Sequence, residues 1–328
     1  MRVAMAFILI TIISVPVVGC SGVSQPEPVS ERRFLLDTLC QITIYSDDAQ
    51  ALLSEAFDLI EHYESLFSVT LHGSDIWRIN QARGEPTEVS PETLELIRAS
   101  LEYSAMSYGM FDITVGRLSS LWDFTGRYGV PSELEIEFAV DTVDFRQVVI
   151  EGNTITLENP EAWLDLGGIA KGFIADRVAD FLRERGVLGA VIDLGGDVVV
   201  IGEKPDSTPW RIGVRHPFDE ETPLMGVLET YEAAVITSGI YERRFKQDGA
   251  IYHHILDPNT GVPVITEIVS VTVISESALT GDALTLISLM VGTERAIRLL
   301  NQAPGVIGAL LILEDGELIK IGDINFKT

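Results

Sequence analysis

Lysine is almost missing from this chain. Five lysines and 18 arginines make up its 23 basic residues, against 49 acidic ones, and the net charge is −26. That balance excludes nucleic acid and an anionic membrane surface as main partners. An acidic, lysine-poor surface is also compatible with a high-salt habitat. Cysteine is scarcer still, with Cys20 and Cys40 the only two. Histidine is limited to five residues, so imidazole chemistry has few positions to use. The pattern Gly-x-Gly-x-x-Gly is absent, which removes the main support for a dinucleotide-binding Rossmann unit. No linker after residue 33 is long enough to divide the chain, and its 328 residues allow one large domain or two modest ones.

At the N-terminus, residues 3–18 form one apolar run after Arg2. It is short for a membrane span, and Pro16 interrupts its end. It suits the apolar region of a secretory signal. Gly19-Cys20 and a polar stretch follow at once, as in a bacterial lipoprotein signal, although Val17 and Val18 stand where Leu and a small residue are usual. The expected division is a signal peptide over 1–19, a lipid anchor and tether over 20–33 with Cys20 as the lipid-bearing residue, and a folded body over 34–328. Cleavage before Cys20 leaves Cys40 as the only free thiol and excludes an internal disulfide.

Within the body, Phe34–Tyr45 reads as one strand ending in clear alternation. A helix is expected over 48–67, with Leu52, Phe57, Ile60, Tyr63 and Phe67 on one face. Ser90-Pro91 opens another, with a stripe of Leu94, Ile97, Leu101, Ala105 and Tyr108 and an end at Gly109. Ser132 and Glu135 make a capping box for a short helix to about Val140. Hairpins are expected around Glu151-Gly152-Asn153 and Asp315-Gly316. Strands predominate from 190 to 275, and helices return at 277–291 and 293–302. Strands and helices are mixed rather than strictly alternating, which predicts an α+β fold.

The stretch Trp163–Gly172 reads as a short strand that stops at Gly167-Gly168 and turns into a helix reaching about Arg185, with Ile174, Val178, Phe181 and Leu182 as its buried stripe. Adjacent glycines admit close backbone approach, and free N–H groups at a helix start favour an anion. Asp-Leu-Gly-Gly returns at 193–196, followed by Asp197. Two such turns can face one polyphosphate, although for a lone glycine pair close strand–helix packing is the commoner reason.

The histidines at 253 and 254 are adjacent, so a strand sends them to opposite faces. Asp257–Gly261 is turn chemistry. Asp112 can cap the helical turn after it. Asp282 stands in a small, apolar segment, where a carboxylate is costly unless something pairs with it. A hard cation such as Mg²⁺ would do so, and a helix-capping role is the alternative.

Several motifs together resemble the ApbE family of FAD:protein FMN transferases, bacterial flavin-handling lipoproteins. They are Leu36-Asp37-Thr38, Phe67-Ser68, Ser74–Asn80, Gly109–Gly116 with Leu121-Trp122, Asp165–Gly172, Gly195–Asp197, Thr237–Gly239 and Tyr252–Gly261. They fall in the family's order across nearly the whole mature chain, and Asp165–Gly172 agrees letter for letter.

The resemblance implies a single domain of mixed, mainly antiparallel sheets packed with helices. It implies FAD as substrate, Mg²⁺ on its pyrophosphate, and transfer of FMN to a Thr or Ser hydroxyl of an exported redox-complex subunit, with release of AMP. FAD-binding positions fall on Leu36, Ser68, Asp112, Thr114, Gly167, Gly168, Lys171, Ser238 and Ile255. The metal falls on Asp282 and the Ala170 carbonyl. His254, selected over His253 by the motif, and Asp282 are the catalytic pair.

This chain departs from the family at Asp37 (Gly), Ile113 (Pro) and Leu286, where the family has a Thr metal ligand. Thr285, one residue earlier and about 100° away around a helix, is the substitute side chain, with a backbone carbonyl such as that of Ala170 or extra water as the alternatives. Two other functions fit the same residues: an FAD pyrophosphatase that passes FMN to water, and a lipoprotein that binds FAD without chemistry.

Overall fold

The computed structural model describes residues 27–122, 124, 129–219, 221 and 224–328. Cys20 and the expected signal peptide lie outside them. Among the described residues, no helix is long and apolar enough to cross a membrane.

The chain opens with a hairpin of β1 (Val29–Leu35) and β2 (Thr38–Ile44). It continues through α1 (Ala49–Phe67), α2 (Asp75–Gln81), the short β3 (Thr87–Glu88), α3 (Pro91–Met106), α4 (Gly116–Leu121) and α5 (Glu133–Val140). A second hairpin, β4 (Val148–Glu151) and β5 (Thr154–Leu157), precedes α6 (Ala170–Glu184). Seven strands follow: β6 (Gly189–Leu194), β7 (Asp197–Gly202), β8 (Trp210–Arg215), β9 (Leu224–Thr230), β10 (Ala233–Gly239), β11 (Arg244–Gln247) and β12 (Ala250–His253). The chain ends with β13 (Ile268–Ser275), α7 (Ala278–Val291), α8 (Thr293–Gln302), β14 (Val306–Leu313), β15 (Leu318–Ile321) and β16 (Asn325–Lys327).

Eight strands form one sheet in the order β1-β2-β6-β7-β10-β13-β14-β15, antiparallel at every junction. The expected α+β class with mainly antiparallel sheets is what the chain adopts. Alternation decides which side chains meet which layer. In β10, Ala234 and Ile236 enter the main core, which the buried faces of α1, α6 and α7 complete. Ala233 and Val235 point the other way and join Val214, Leu228 and Ile324 beneath the small sheet β16-β9-β8. Strand β13, covered on both faces, is buried at all eight positions.

Three expectations change. The single strand over 34–45 is a hairpin, because Leu36 and Asp37 form a two-residue turn with φ +55 at both. Such turns favour Asn and Gly, so a Leu-Asp pair carries no turn signal and the periodicity reads straight through it. Strand β1 therefore starts at Val29, and residues 29–33 belong to the sheet rather than to a tether. The α3 stripe is rotated: Leu96, Ile97, Ser100 and Ser104 are buried, while Tyr108 is 95% exposed. Ser100 and Ser104 can enter the core because their hydroxyls donate to the carbonyls of Leu96 (2.7 Å) and Ser100 (3.0 Å). Finally, 163–166 is an extended segment with one bridge rather than a strand, tied to 113–116 by Gly116 N–H to Trp163 O (2.9 Å) and Asp165 N–H to Ile113 O (2.8 Å).

Candidate active site

Helices α6 and α7 lie side by side, and glycine sets how closely. A Cβ on Gly172 would come within 2.8 Å of Asp282 Cβ and overlap the Ala278 carbonyl. At this contact the Gly172 N–H, one of the free donors in the first turn of α6, donates to Asp282 Oδ2 at 2.9 Å. Gly172→Ala is expected to destabilise the fold by about 1–3 kcal/mol, because the obstacle is backbone that cannot swing away. Thermal melting of the variant measures this.

Asp282 is 3% exposed. It sits in the second turn of α7 and does not cap that helix, since Ser277 is the N-cap and accepts from Thr280 N–H. Its charge does have a partner, on another element. Lys171 Nζ lies 3.7 Å from Asp282 Oδ1 and in direct contact with Asp197 Oδ2. The apolar sequence around Asp282 therefore did not mean an uncompensated acid. Burial pulls the Lys171 ammonium down, but Asp197 and Asp282 outweigh it and hold the group above lysine's usual range. Burial raises the Asp282 carboxyl, Asp197 raises it further, and Lys171 with the Gly172 N–H pulls it back. The net direction is up, so this acid still gains from an added cation.

Thr285 is buried beside it, and its hydroxyl donates to the Asp282 carbonyl (2.9 Å) and meets Ser238 Oγ (2.8 Å). Leu286 packs on the first glycine turn: a Cβ on Gly168 would meet Leu286 Cδ2 at 2.7 Å and Phe111 Cε2 at 3.4 Å. Among the described residues, no three His, Cys, Asp or Glu side chains converge as a metal cage. The donor set still fits Mg²⁺, which needs one or two carboxylates and keeps several waters. Asp282 Oδ1 is the fitting oxygen, because a cation near it is already tolerated and no hydrogen bond ties it down.

His253 and His254 diverge as alternation requires. His253 ends β12, is 6% exposed, and places Nε2 3.2 Å from Val264 O. His254 lies just beyond the strand, its N–H donating to Arg243 O (3.1 Å) and its ring edge-on to Phe124 at 6.4 Å. Its Nδ1 is buried without a hydrogen-bond partner among the described residues. Burial first, then the Arg243 charge, lowers its pKa to about 4, and Lys171 adds to the effect. The imidazole is therefore neutral near pH 7, with a ring nitrogen free to accept a proton.

The remaining expected positions divide. Asp112 caps no helix; its Oδ1 accepts from Thr114 N–H (2.8 Å) and Oγ1 (2.6 Å), and its Oδ2 accepts from Phe145 N–H (2.8 Å). Thr114 Oγ1 in turn accepts from Asp144 N–H (2.8 Å). Both side chains fix the 112–116 and 144–145 segments to each other. A cavity of about 350 Å³ opens there, lined by Tyr108, Asp112, Phe145 and Asn259, and it contains none of Lys171, His254 and Asp282.

Ser68 caps the end of α1, its hydroxyl accepting from Leu71 N–H (3.1 Å). Leu36 N–H donates to Glu64 Oε1 (2.8 Å). Ile255 is buried, and its carbonyl accepts from Val264 N–H (2.9 Å). The Gly167 N–H closes a turn on Asp165 Oδ1 (2.9 Å), and the Ala170 N–H donates to Leu166 O (2.8 Å) at the start of α6. Asp197 was given no role from sequence, although its place after the repeated Asp-Leu-Gly-Gly was a signal. Arg243 carried no sequence signal at all.

The family model for ApbE matches residues 36–311. An FAD:protein FMN transferase of Klebsiella pneumoniae (strain 342) is 38% identical over 283 residues, covering 85% of this chain and 87% of that one. One from Treponema pallidum (strain Nichols) is 31% identical over 318 residues, 90% of this chain and 88% of that one. The crystal structure of the ApbE protein of Thermotoga maritima superposes with a TM-score of 0.82 at 34% identity, covering 90% of this chain and 97% of that one. The flavin transferase ApbE of Vibrio cholerae follows at 0.81 and 30%, covering 90% and 96%. With a match over most of its length and relatives above 30% identity, the chain belongs to the ApbE family.

Proposed function

We propose that this protein is an FAD:protein FMN transferase. It cleaves the FAD pyrophosphate, attaches FMN through its phosphate to a Thr or Ser hydroxyl of an acceptor protein, and releases AMP. The observation that carries this reading is the convergence of Lys171, Asp197 and Asp282 at the start of α6, with the neutral His254 close enough to feel the Lys171 charge. It is joined by the shared name of the relatives.

The acceptor hydroxyl oxygen attacks the FMN phosphorus as the anhydride bond to AMP breaks. His254 takes the hydroxyl proton, and the leaving AMP carries away the electron pair of the broken bond. Phosphoryl transfer asks the protein for positioning and charge neutralisation more than for covalent help. Lys171 supplies fixed positive charge beside the anhydride. The first glycine turn allows close backbone approach to it. Asp282, with the Ala170 carbonyl, would hold Mg²⁺, which when bound neutralises phosphate charge and polarises the phosphorus. Thr285, whose hydroxyl oxygen keeps a lone pair beside Ser238, or water in its place would complete the shell.

The test is to mix protein, FAD, Mg²⁺ and a flavin-acceptor subunit. Flavin fluorescence that stays with the acceptor through denaturing electrophoresis is the expected outcome. Free FMN alone would make the protein a pyrophosphatase, and unchanged FAD a binder.

Export and lipid anchoring at Cys20 are part of the same proposal, supported by the apolar run that ends at Gly19-Cys20. The acceptors are then exported subunits of redox complexes. Cys20→Ser is expected to remove lipid labelling and release the protein from the membrane fraction. Retention of that variant on the membrane would overturn the anchor.

A further inference from the structure

The Lys171 ammonium stands between two buried acids and treats them unequally. It is in direct contact with Asp197 Oδ2 but 3.7 Å from Asp282 Oδ1, outside hydrogen-bond reach. Asp282 commits its other oxygen, Oδ2, to the Gly172 N–H at 2.9 Å. Its Oδ1 is thus faced by a cation that does not sit on it.

Asp197 is anchored by main chain rather than by a flexible stem. It is the first residue of β7, pairs with Leu194 across the β6–β7 ladder, and follows Gly195 and Gly196 at φ +71 and +100. The turn before it is fixed in its own right: Gly196 N–H donates to Asp193 Oδ1 at 2.7 Å, and Gly195 packs against Thr38 too closely for a Cβ. With its carboxylate held there and 3% exposed, Asp197 draws the flexible lysine side chain to one side.

We propose that Asp197 is a positioning residue that holds the Lys171 ammonium off Asp282, keeping Asp282 Oδ1 open to a divalent cation. The inference rests on the metal reading given above. Without Asp197 the ammonium has one acid left and closes onto Asp282 Oδ1, where it competes with the metal. With Asp197 in place, lysine and metal share the neighbourhood, each with its own carboxylate.

The experiment is titration of FAD-free protein with Mn²⁺, reading free ion by electron paramagnetic resonance, so that no turnover is needed. Asp197→Asn is expected to weaken Mn²⁺ binding about 10–100-fold, the usual cost of losing a residue that orients a metal ligand. In a Lys171→Met background the same change is expected to alter binding by no more than about twofold, because there is no ammonium left to misplace. An equal loss in both backgrounds would mean that Asp197 acts by its own charge, and would overturn the inference. So would unchanged binding in Asp197→Asn.

Lys171→Met alone serves if Asp197→Asn does not fold. It should bind Mn²⁺ at least as tightly as the parent, and weaker binding would also overturn the inference. Asp282→Asn separates the two levels. If it binds Mn²⁺ like the parent, the metal reading itself fails. If it loses Mn²⁺ while Asp197→Asn does not, only the role of Asp197 fails.

Discussion

Asp282→Asn should lose FMN transfer by on the order of 10³-fold at ordinary Mg²⁺ concentrations, as when several kcal/mol of charge stabilisation is withdrawn. The fold should survive. The Asn side-chain oxygen can still accept the Gly172 N–H that now meets Oδ2, the volume hardly changes, and Lys171 keeps Asp197 as its partner. What disappears is the anionic oxygen proposed to hold the metal. Excess Mg²⁺ should recover part of the activity, since phosphate oxygens and water supply most ligands of this ion. EDTA should abolish transfer by the parent protein. Full activity of Asp282→Asn in EDTA would remove metal assistance from the mechanism. Steady-state transfer rates across a Mg²⁺ series, with melting curves as a control for folding, decide the matter.

His254→Ala is expected to slow transfer by roughly 10²–10⁴-fold, the usual worth of acid–base help, with FAD binding largely kept. His253→Ala should act mainly on stability, because its ring is buried against the Val264 carbonyl. Equal losses of transfer in both variants would remove the case for His254. The pH dependence follows from the same burial. With a pKa near 4, His254 stays unprotonated well below the ordinary imidazole value of 6.5. The acid limb of kcat/KM that belongs to it should therefore lie near pH 4–5 rather than 6.5.

Stability should show the matching sign. His253 is lowered to about 4 by burial as well. Both folded pKa values lie below the unfolded one, so the unfolded chain takes up protons first as pH drops. The stabilisation is complete above about pH 6.5 and is lost as pH falls from there through 4. The buried acids raised in the same window, Asp282 among them, act with the opposite sign, so the histidine part is read from how the gap in melting temperature between the parent and His253→Ala narrows from pH 7 to pH 4.

How much of this was legible beforehand depends on the range of each interaction. The turn at Gly167-Gly168, the helix from Ala170 and its buried Ile174, Val178 and Leu182 are local, and the sequence specifies them well. The capping box at Ser132 and Glu135 and the turns at Gly152 and Gly316 belong to the same kind. The α3 face is hard to read because serines that bond their own helix look polar in sequence. The first hairpin is hidden because its turn has Leu36 at a positive φ, where Asn, Asp or Gly is usual. Within the site, Asp282 stood out as a lone acid among small apolar residues, but its neighbours in sequence were the wrong place to seek its counter-charge. That charge comes from Lys171, brought close only when α6 and α7 pack through Gly172. No pattern along the chain encodes such a meeting, and the same holds for Arg243 beside His254.

The order of strands in the large sheet also bears on how the protein is made. Strand β2 finds its second neighbour only when β6 arrives, pairing Cys40 with Leu194, and β10 must wait for β13. Ladders between such distant segments are slow to form, because loop closure is paid before any contact rewards it. A chain emerging N-terminus first therefore carries β1, β2 and α1 for a long time without a sheet to join. It reaches its cooperative native state only once β13 and β14 have joined the sheet.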